Sequence, residues 1–507
     1  MDDIDDELEN INVASNGVYS FLVTLLSVVM SFILSVFIGR FLGASLYGVY
    51  SLSIIIWSSV TTIASLGFGG MLQYGVSKYR ANNKKDVIKW LLEHYFWVLL
   101  LASTVSSVAL FALSGPLAVL FHAPQLSYLI QILAVGVVFF SVTNNFAYPI
   151  LTGLQKIKYS FVSNVIFEVI GVGQIVALFY GFGLVGLVGF YDLSFVGAAI
   201  FSLYIIYHYL KPIQHKKEPD RRGRSHLKKY GHFTYGMSLI GLLYNYFIIL
   251  FLGVVAPNTE FVGFYRVGHI MGSFIAAPAM AIGSGFFATA TKFFERGELD
   301  KFYRLQYTLM RYAALITIPL ALGSIVAINP LIRLLYRGVF LGAQTPFIII
   351  TVSSLIVAIF APITIVLGAI GKQKYNLYSA VISAVVSITI VALAVPNLLS
   401  TGGALALFGV NISNLLVNIF FSKRYIKIVI PYKEILKMVV AGAIMSGILY
   451  FLLEIFTSLI LLPFILIMVF FFYLLITFFM GVLHRRDIVF FLKFSRQDWL
   501  LRLLRRG

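Results

Sequence analysis

The sequence predicts an all-α polytopic membrane protein with about 14 transmembrane helices, arranged as two six-helix lobes in parallel pseudo-two-fold repeat plus two extra C-terminal helices. Three observations predict this fold class. Hydrophobic residues make up 60% of the 507 residues and charged residues only 11%, whereas soluble domains carry about 25% charged residues. The apolar residues fall into runs of about 20, the length that crosses a bilayer. The second half of the chain repeats the first.

The apolar runs define the predicted membrane spans. Each run is long enough for a helix, at 1.5 Å per residue, to cross a hydrocarbon core about 30 Å thick. The predicted spans are 17–40, 46–74, 91–114, 126–152, 160–181, 184–210, 233–255, 261–290, 304–328, 343–369, 374–396, 401–422, 438–457 and 459–483. An even number of spans returns the chain to the side from which it began.

The basic residues fix the predicted orientation. If the N-terminus is cytoplasmic, all but five of the 38 Lys and Arg residues lie in cytoplasmic segments. Arg40, Arg333 and Arg337 lie at the outer side, and Arg266 and Arg311 lie inside spans. This is the bias expected of inner loops. It predicts a multi-pass protein of the cell membrane with both termini cytoplasmic.

The spans and loops suggest six regions. They are an acidic cytoplasmic N-terminus (1–16), an N-terminal lobe (17–210), a basic cytoplasmic linker (211–232), a C-terminal lobe (233–422), two further spans (438–483) and a basic amphipathic tail at the inner interface (484–507). The net charge of +18 lies in short loops between apolar runs. We therefore expect anionic membrane lipids as partners of the basic loops, and no nucleic acid.

An internal repeat links the two lobes. Tyr47-Gly48-Val49-Tyr50 matches Val262-Gly263-Phe264-Tyr265 at an offset of 215, and GLQKIKY at Gly153 matches GAIGKQKY at Gly368. Six spans per lobe let both lobes enter the membrane in the same direction, which places a pseudo-two-fold axis along the membrane normal. Such symmetry predicts a cavity between the lobes, opened to each side in turn by rocking.

The whole chain resembles a known family. Fourteen predicted spans grouped as six, six and two, GRFLGASLYGVY after the first span, the basic loop after span six and GLQKIKY are similar to the polysaccharide and lipid-linked oligosaccharide flippases of the multidrug/oligosaccharidyl-lipid/polysaccharide exporter superfamily. The resemblance implies translocation of a polyprenyl-diphosphate-linked oligosaccharide from the cytoplasmic to the outer leaflet. It also implies that a monomer suffices. Glycan polymerase or glycosyltransferase machinery is a candidate partner.

Two other transporter classes compete with this interpretation. A cation-coupled multidrug exporter of the same superfamily is one alternative, although twelve spans would suit it better. Lipid II-type flippases are a nearer alternative because they also have fourteen spans. The chain has no GxxxxGK[ST] phosphate loop, no HExxH and no nucleophile elbow, so we expect no catalytic residue, no metal site and no enzyme activity.

Charged residues inside the spans are the first candidates for a substrate site, because a charge near the bilayer centre costs about 2.5–3.5 kcal/mol. Arg266 is the sharpest, with His269 one helical turn further on. A guanidinium can fork onto two phosphate oxygens of a diphosphate. The alternative for Arg266 is a pair with Glu260 or a helix C-terminus. Arg40 and Arg311 are further candidates, although each could extend to the membrane surface instead.

Uncharged polar residues and two carboxylates complete the predicted site. Asn145, Asn245 and Asn411 suit sugar hydroxyls in a wet cavity, or hydrogen bonds between helices. Glu168 and Asp192 are each about eight residues inside a span and are candidates for H⁺ or Na⁺ coupling. The alternative for Glu168 and Asp192 is a structural role, in which groups of neighbouring helices form hydrogen bonds with each carboxylate. Apart from a coupling ion, we expect no cofactor.

Overall fold

The computed structural model describes residues 2–213, 215–278, 286–372, 374–456 and 458–483, with side chains from residue 22 onward except at 286 and 288. These residues form helices joined by short turns, and no strand occurs among them. The predicted tail at 484–507 lies outside the described residues. We call the end of the molecule that carries Arg40 the outer side, and the end that carries the linker the cytoplasmic side.

The first half of the chain forms nine α-helices and one π-helical segment. They are α1 (Asp2–Ala64), α2 (Phe68–Ala81), α3 (Lys85–Ala112), α4 (Ser114–Leu120), α5 (Gln125–Phe140), the π-helix (Ser141–Ala147), α6 (Tyr148–Gly153), α7 (Ile157–Gly171), α8 (Gly173–Phe179) and α9 (Gly183–Leu210). The described second half forms ten α-helices and one 3-10 turn. It comprises α10 (Arg221–Asn245), α11 (Phe247–Val255), α12 (Glu260–Phe274), α13 (Phe286–Glu295), α14 (Leu299–Val326), α15 (Ile328–Tyr336), a 3-10 turn (Leu341–Ala343), α16 (Gln344–Ala369), α17 (Lys374–Ser422), α18 (Tyr432–Ile455) and α19 (Leu462–Phe479).

Helix α1 is a hairpin of two spans. Gly43 leaves the helical conformation with φ 75° and ψ 179°, where glycine meets no steric penalty. The Ser35 hydroxyl then lies 2.8 Å from the Tyr47 hydroxyl, although twelve residues of straight helix would extend about 18 Å. The chain therefore reverses at Gly43, between the first two predicted spans.

Helix α17 is a second hairpin. Leu399 has φ 48°, and the residues on either side of it come back together. Ser413 donates a hydrogen bond to Ser383 at 3.1 Å, and Asn418 donates one to Ser379 at 2.9 Å. The reversal at Leu399 separates the predicted spans 374–396 and 401–422.

The number of spans can now be compared with the prediction. Eleven helices among the described residues are long and apolar enough to cross a membrane, and two of them contain the hairpins above. Residues 279–285 of the predicted span 261–290 lie outside the residues that the structure describes. The multi-pass helical fold is confirmed, whereas the count of fourteen stays a prediction.

The second predicted span ends earlier than expected. The chain leaves the helix after Ala64, because Leu66 and Gly67 adopt left-handed conformations with φ 45° and 74°. Helix α2 then starts at Phe68 as a separate element. The predicted span 46–74 is therefore corrected at its cytoplasmic end.

The basic linker is partly helical and lies against the first lobe. Helix α10 begins at Arg221, where the Asp220 side chain accepts a hydrogen bond from the Gly223 amide at 3.1 Å, an N-cap. The Lys89 ammonium donates to the Ile213 carbonyl at 2.6 Å. Leu227 is fully buried in the apolar cluster of the first lobe. The linker is thus attached to the first lobe.

The largest hydrophobic core crosses from one lobe to the other. It combines α1, α5 and α9 of the first lobe with α11, α12 and α15 of the second. At its first-lobe end Trp57 stacks on Phe195, with ring centroids 5.5 Å apart, and meets Phe140 edge-on at 4.9 Å. Helices α18 and α19 form a separate cluster against α14. The lobes therefore meet mainly through α1 and α12.

Candidate functional site

Arg266 lies on α12, at the contact between the two lobes. It is six residues from Glu260, the first residue of the helix, and so about 9 Å along the helix axis from the outer end. Its side chain is partly buried, whereas its neighbours Tyr265 and Val267 are fully buried. The helix thus holds a permanent positive charge within the membrane-spanning part of the molecule.

Tyrosines of both lobes lie within electrostatic range of the Arg266 charge. The guanidinium interacts electrostatically with the phenols of Tyr47, Tyr50 and Tyr191 from the first lobe and of Tyr265 from the second. These tyrosines, Arg266 and His269 are called the Arg266 cluster below. The cluster offers a cation and several hydroxyls, a set of donors that suits phosphate and sugar oxygens.

No carboxylate neutralises Arg266 among the residues that the structure describes. Among the described residues, ion pairs join Lys216 to Glu93, Arg224 to Glu218 and Lys301 to Glu298, and none of them includes Arg266. The pair with Glu260 that the sequence left open is not formed, and the amide of Glu260 instead donates to the Asn258 side chain at 3.1 Å. Because an isolated buried charge is costly, Arg266 is suited to an external anion.

Gln174 extends the Arg266 cluster beyond Tyr50, and His269 lies within the cluster beside Tyr265. The His269 ring stacks on Tyr265 with centroids 5.9 Å apart. Its Nδ1 is buried and has no hydrogen-bond partner among the described residues. On the first-lobe side Tyr50 donates a hydrogen bond to the Gln174 side chain at 3.2 Å. An unused ring nitrogen therefore lies one turn below the guanidinium.

The other two arginines of the predicted site lie elsewhere. Arg40 donates to the carbonyl oxygens of Leu334 and Leu335 at the end of α15. Arg311 lies over the Tyr312 ring at 5.1 Å and interacts electrostatically with Glu434 on α18. The structure brings Arg266 and His269 together but places Arg40 and Arg311 in separate surroundings.

The three asparagines are also apart from one another. Asn411 donates to Ser353 at 2.7 Å and so links α17 to α16, as expected for a bond between helices. The Asn145 amide nitrogen is buried in the π-helix with no hydrogen-bond partner among the described residues. Asn245 is exposed at the break between α10 and α11.

Glu168 belongs to a polar group inside the first lobe. Ser27 on α1 donates to Glu168 at 2.9 Å, and Asn164 donates to Ser27 at 3.2 Å. Beside Asn164 lies an open cavity of about 310 Å³ that is lined by α1, α5, the π-helix, α6, α7 and α9. Its polar lining consists of Thr143, Asn144, Tyr148, Ser160, Ser163, Asn164 and Ser202. A carboxylate beside a polar cavity is an arrangement that can bind a small cation.

Asp192 lies on α9 against the backbone of α5. Both of its carboxylate oxygens are buried without a hydrogen bond to any described residue, although the Gly136 backbone interacts with them. A methyl group on Gly136 would lie 1.9 Å from one of these oxygens. Glycine at 136 therefore makes the space that Asp192 occupies.

The family profile described as polysaccharide biosynthesis protein matches residues 13–280, more than half of the chain. The chain belongs to the polysaccharide biosynthesis protein family. The matched range covers the first lobe, the linker, and the second lobe through Arg266 and His269. No curated protein matches this family member significantly in sequence.

Solved structures share the fold of this polysaccharide biosynthesis protein. The lipid II flippase MurJ in an inward closed conformation has a TM-score of 0.69 at 17% identity, over 91% of this chain and 98% of that chain. An inward-facing multidrug resistance MATE family transporter of the MOP superfamily gives 0.61 at 13%, over 85% and 98%. A MOP superfamily transporter from Pyrococcus furiosus, described with a binding pocket of reversed polarity, gives 0.55 at 14%, over 86% and 96%. The family and these structures confirm a multi-pass membrane fold of the MurJ and MATE type.

Several members of the cluster were not among the predicted site residues of this family member. Tyr47 and Tyr50 belong to the repeated motif, where they served only to align the two lobes. Tyr191 had no assigned role in binding. The one available signal was the pairing of Tyr50 with Tyr265, the neighbour of Arg266, in the repeat.

Proposed function

We propose that this protein is a flippase that moves a polyprenyl-diphosphate-linked oligosaccharide from the cytoplasmic to the outer leaflet by alternating access between its two lobes. The observation that carries the proposal is Arg266, a cation between the lobes with no carboxylate partner among the described residues. A diphosphate is the strongly anionic part of such a lipid. Membership in the polysaccharide biosynthesis family supports this substrate class.

The geometry suggests how the diphosphate is held. The planar guanidinium donates two parallel hydrogen bonds to phosphate oxygens. The Tyr191 hydroxyl of the first lobe donates to one of the remaining oxygens or to the first sugar, and the Tyr50 hydroxyl does so once it exchanges its hydrogen bond to Gln174 for one to the substrate. Because the donors come from both lobes, movement of one lobe against the other changes the site. Binding and rocking are thereby linked.

The contacts between the lobes suggest which side is closed. The Ser45 hydroxyl lies 3.2 Å from that of Thr259, near the outer end. Tyr336 of the second lobe lies 3.0 Å from Ser35 of the first. These contacts cover the outer side of the Arg266 cluster, so in this conformation substrate would approach from the cytoplasmic side.

We further propose that Na⁺ or H⁺ couples to transport through the first lobe. The supporting observation is the group formed by Ser27, Asn164 and Glu168 beside the polar cavity. Asp192, with its unpartnered oxygens, is the second candidate. A cation bound between α1 and α7 would change their relative position, and α1 carries the lobe contact at Ser45.

Two alternatives share the fold. Lipid II also carries a diphosphate, and the likeness to MurJ keeps it as a second candidate substrate. A multidrug exporter is supported less, because the Arg266 charge repels cationic drugs. We also propose that the protein is a monomer in the cell membrane with both termini in the cytoplasm. Glycan polymerase or glycosyltransferase machinery is its proposed partner.

The test uses proteoliposomes that contain a fluorescent polyprenyl-diphosphate sugar, with a membrane-impermeant quencher outside. The wild type should bring label to the outside faster than empty liposomes do. Loss of one partner of a desolvated charge pair costs about 2–5 kcal/mol, so R266A should slow transport at least about thirtyfold. R266K, which keeps the charge without the fork, should be intermediate, and the exposed control R333A should match wild type.

Two outcomes would contradict the proposal. A folded R266A protein with wild-type transport would remove Arg266 from the site. Wild-type protein no faster than empty liposomes, across several glycans and ion gradients, would favour the drug exporter. Lipid II as competitor in the same assay separates the two flippase alternatives.

A further inference from the structure

A basic motif recurs at the cytoplasmic end of both lobes. Residues 156–159 (KIKY) follow α6, and residues 372–375 (KQKY) follow α16, 216 positions later. In both lobes the lysines lie at the cytoplasmic end of the hairpin that the last two helices of the lobe form. The substrate site at Arg266 does not include either motif.

The two motifs make the same cation–π contact. The Lys156 ammonium lies 4.9 Å from the centroid of the Tyr209 ring, and that of Lys372 lies 5.1 Å from the centroid of Tyr425. Tyr209 and Tyr425 are also 216 positions apart. The contact therefore obeys the pseudo-symmetry of the molecule. A lysine over a ring keeps its N–H donors available on the side away from the ring.

The second-lobe copy is the more elaborate of the two. There the hydroxyls of Tyr375 and Tyr425 are 2.8 Å apart and hydrogen-bonded. The Arg424 guanidinium lies over Phe421 at 5.5 Å, whereas the equivalent position of the first lobe is His208. We name Lys372, Lys374, Tyr375, Arg424 and Tyr425 the inner cluster. It contains one more permanent charge than its first-lobe counterpart.

The charges of the inner cluster converge and are not neutralised. Lys372, Lys374 and Arg424 all interact electrostatically with the Tyr375 phenol. None of the three forms an ion pair with a described residue. The chain has no acidic residue between Asp300 and Glu434. Like charges held this close repel one another, so an anion placed among them would be strongly stabilised.

The surroundings place the inner cluster at the membrane surface. Tyr425 is 40% exposed, and the adjacent Tyr378 and Phe420 are 49% and 58% exposed. Exposed aromatic rings beside lysines at helix ends are typical of the headgroup region. The basic loops assign this end of the molecule to the cytoplasmic leaflet. A ligand of the inner cluster is therefore the headgroup of a lipid.

We propose that the inner cluster binds the diphosphate headgroup of an isoprenyl lipid in the cytoplasmic leaflet. A diphosphate diester carries two negative charges and several acceptor oxygens, which match three cations and two hydroxyls. A phospholipid with one phosphodiester charge leaves two cations uncompensated. The role as a capture site before the Arg266 cluster rests on the proposed flippase function, whereas the binding itself does not.

The test measures binding of a C15 isoprenyl-diphosphate sugar, which is a diphosphate diester, to the full chain in phosphatidylcholine nanodiscs. The R266A background removes the contribution of the Arg266 cluster. In that background the probe should still bind, and adding K372Q, K374Q and R424Q should raise its Kd at least about tenfold, since hydrogen bonds from charged donors are stronger than those from neutral ones. The control K84Q/K85Q/K228Q removes as many charges from exposed cytoplasmic residues and should leave the Kd within about twofold.

Three outcomes would overturn the inference. They are no binding in the R266A background, an unchanged Kd in the triple variant, and equal competition by phosphatidylglycerol, which carries one charge. Thermal unfolding checks that each variant is folded, and Y375F removes a hydroxyl without a charge and should raise the Kd about threefold. If the probe binds as expected but wild-type protein moves no lipid in proteoliposomes, the flippase proposal fails. The proposed binding of a diphosphate headgroup by the inner cluster is then still supported.

Discussion

Gly48 and Gly263, which are 215 positions apart in the repeat, each lie against the helix of the other. A methyl group on Gly48 would lie 1.8 Å from the Thr259 carbonyl oxygen, and one on Gly263 would lie 2.3 Å from the Ala44 carbonyl oxygen. Ala44 and Thr259 are themselves 215 positions apart. A two-fold axis requires such a reciprocal contact. The axis of the two lobes therefore passes between α1 and α12.

We expect G48A to separate α1 from α12. The obstacle is backbone, which cannot rotate away as a flexible side chain can. Overpacking of this kind costs about 1–3 kcal/mol, against a gain of about 1 kcal/mol in helix propensity. Thermal unfolding should show a lower Tm for G48A. The control G189A adds a methyl group where nothing lies within 4 Å, and an equal Tm for both variants would contradict the prediction.

Closing the outer side covalently should stop transport. The neighbouring hydroxyls of Ser45 and Thr259 are 3.2 Å apart, and the chain contains no cysteine that would interfere. The double variant S45C/T259C should form a disulfide under oxidising conditions and lose transport, because the lobes can no longer separate at that end. A reductant should restore it. Cross-linked protein that still transports would show that the two helices do not separate here.

Hydropathy predicted most of the helices, but it could not locate every break. The turn at Gly43 falls between the predicted spans 17–40 and 46–74. The break at Leu66 and Gly67 was missed, because the residues that follow it are as apolar as those before. Left-handed backbone conformations end that helix. Hydropathy averages describe side chains only and therefore do not predict such backbone conformations.

The candidate site was predictable only in part. Arg266 stood out because a charge in an apolar run is costly. Tyr47, Tyr50 and Tyr191 did not, because the chain has 29 tyrosines and a phenol is tolerated in many helices. Their convergence on Arg266 depends on the contact between the lobes, which single-helix patterns do not reveal.

Replacement of Glu168 should remove the cation dependence of transport if the first-lobe proposal is right. E168Q keeps the size of the side chain and the hydrogen bond to Ser27 but loses the negative charge. We expect transport driven by a Na⁺ or H⁺ gradient to fall at least about tenfold, which corresponds to about 1.4 kcal/mol. Transport without a gradient should change little.

The matched control for E168Q is E454Q, an exposed carboxylate near the end of α18. It should keep the full response to the gradient. D192N tests the second carboxylate in the same assay. If neither E168Q nor D192N alters the response to Na⁺ or pH, the coupling site does not lie in the first lobe.

Two roles can be tested for Arg40: binding of substrate in the cavity, and closure of the outer side. Its guanidinium donates to the Leu334 and Leu335 carbonyls, at the negative end of α15. Hydrogen bonds from a charged group contribute about 1.5–3 kcal/mol. R40A should therefore release α15 from α1 and make S45C react several-fold faster with a membrane-impermeant maleimide. A role in the substrate site predicts weaker binding of the isoprenyl-diphosphate probe with unchanged labelling of S45C. That result would assign Arg40 to the substrate site.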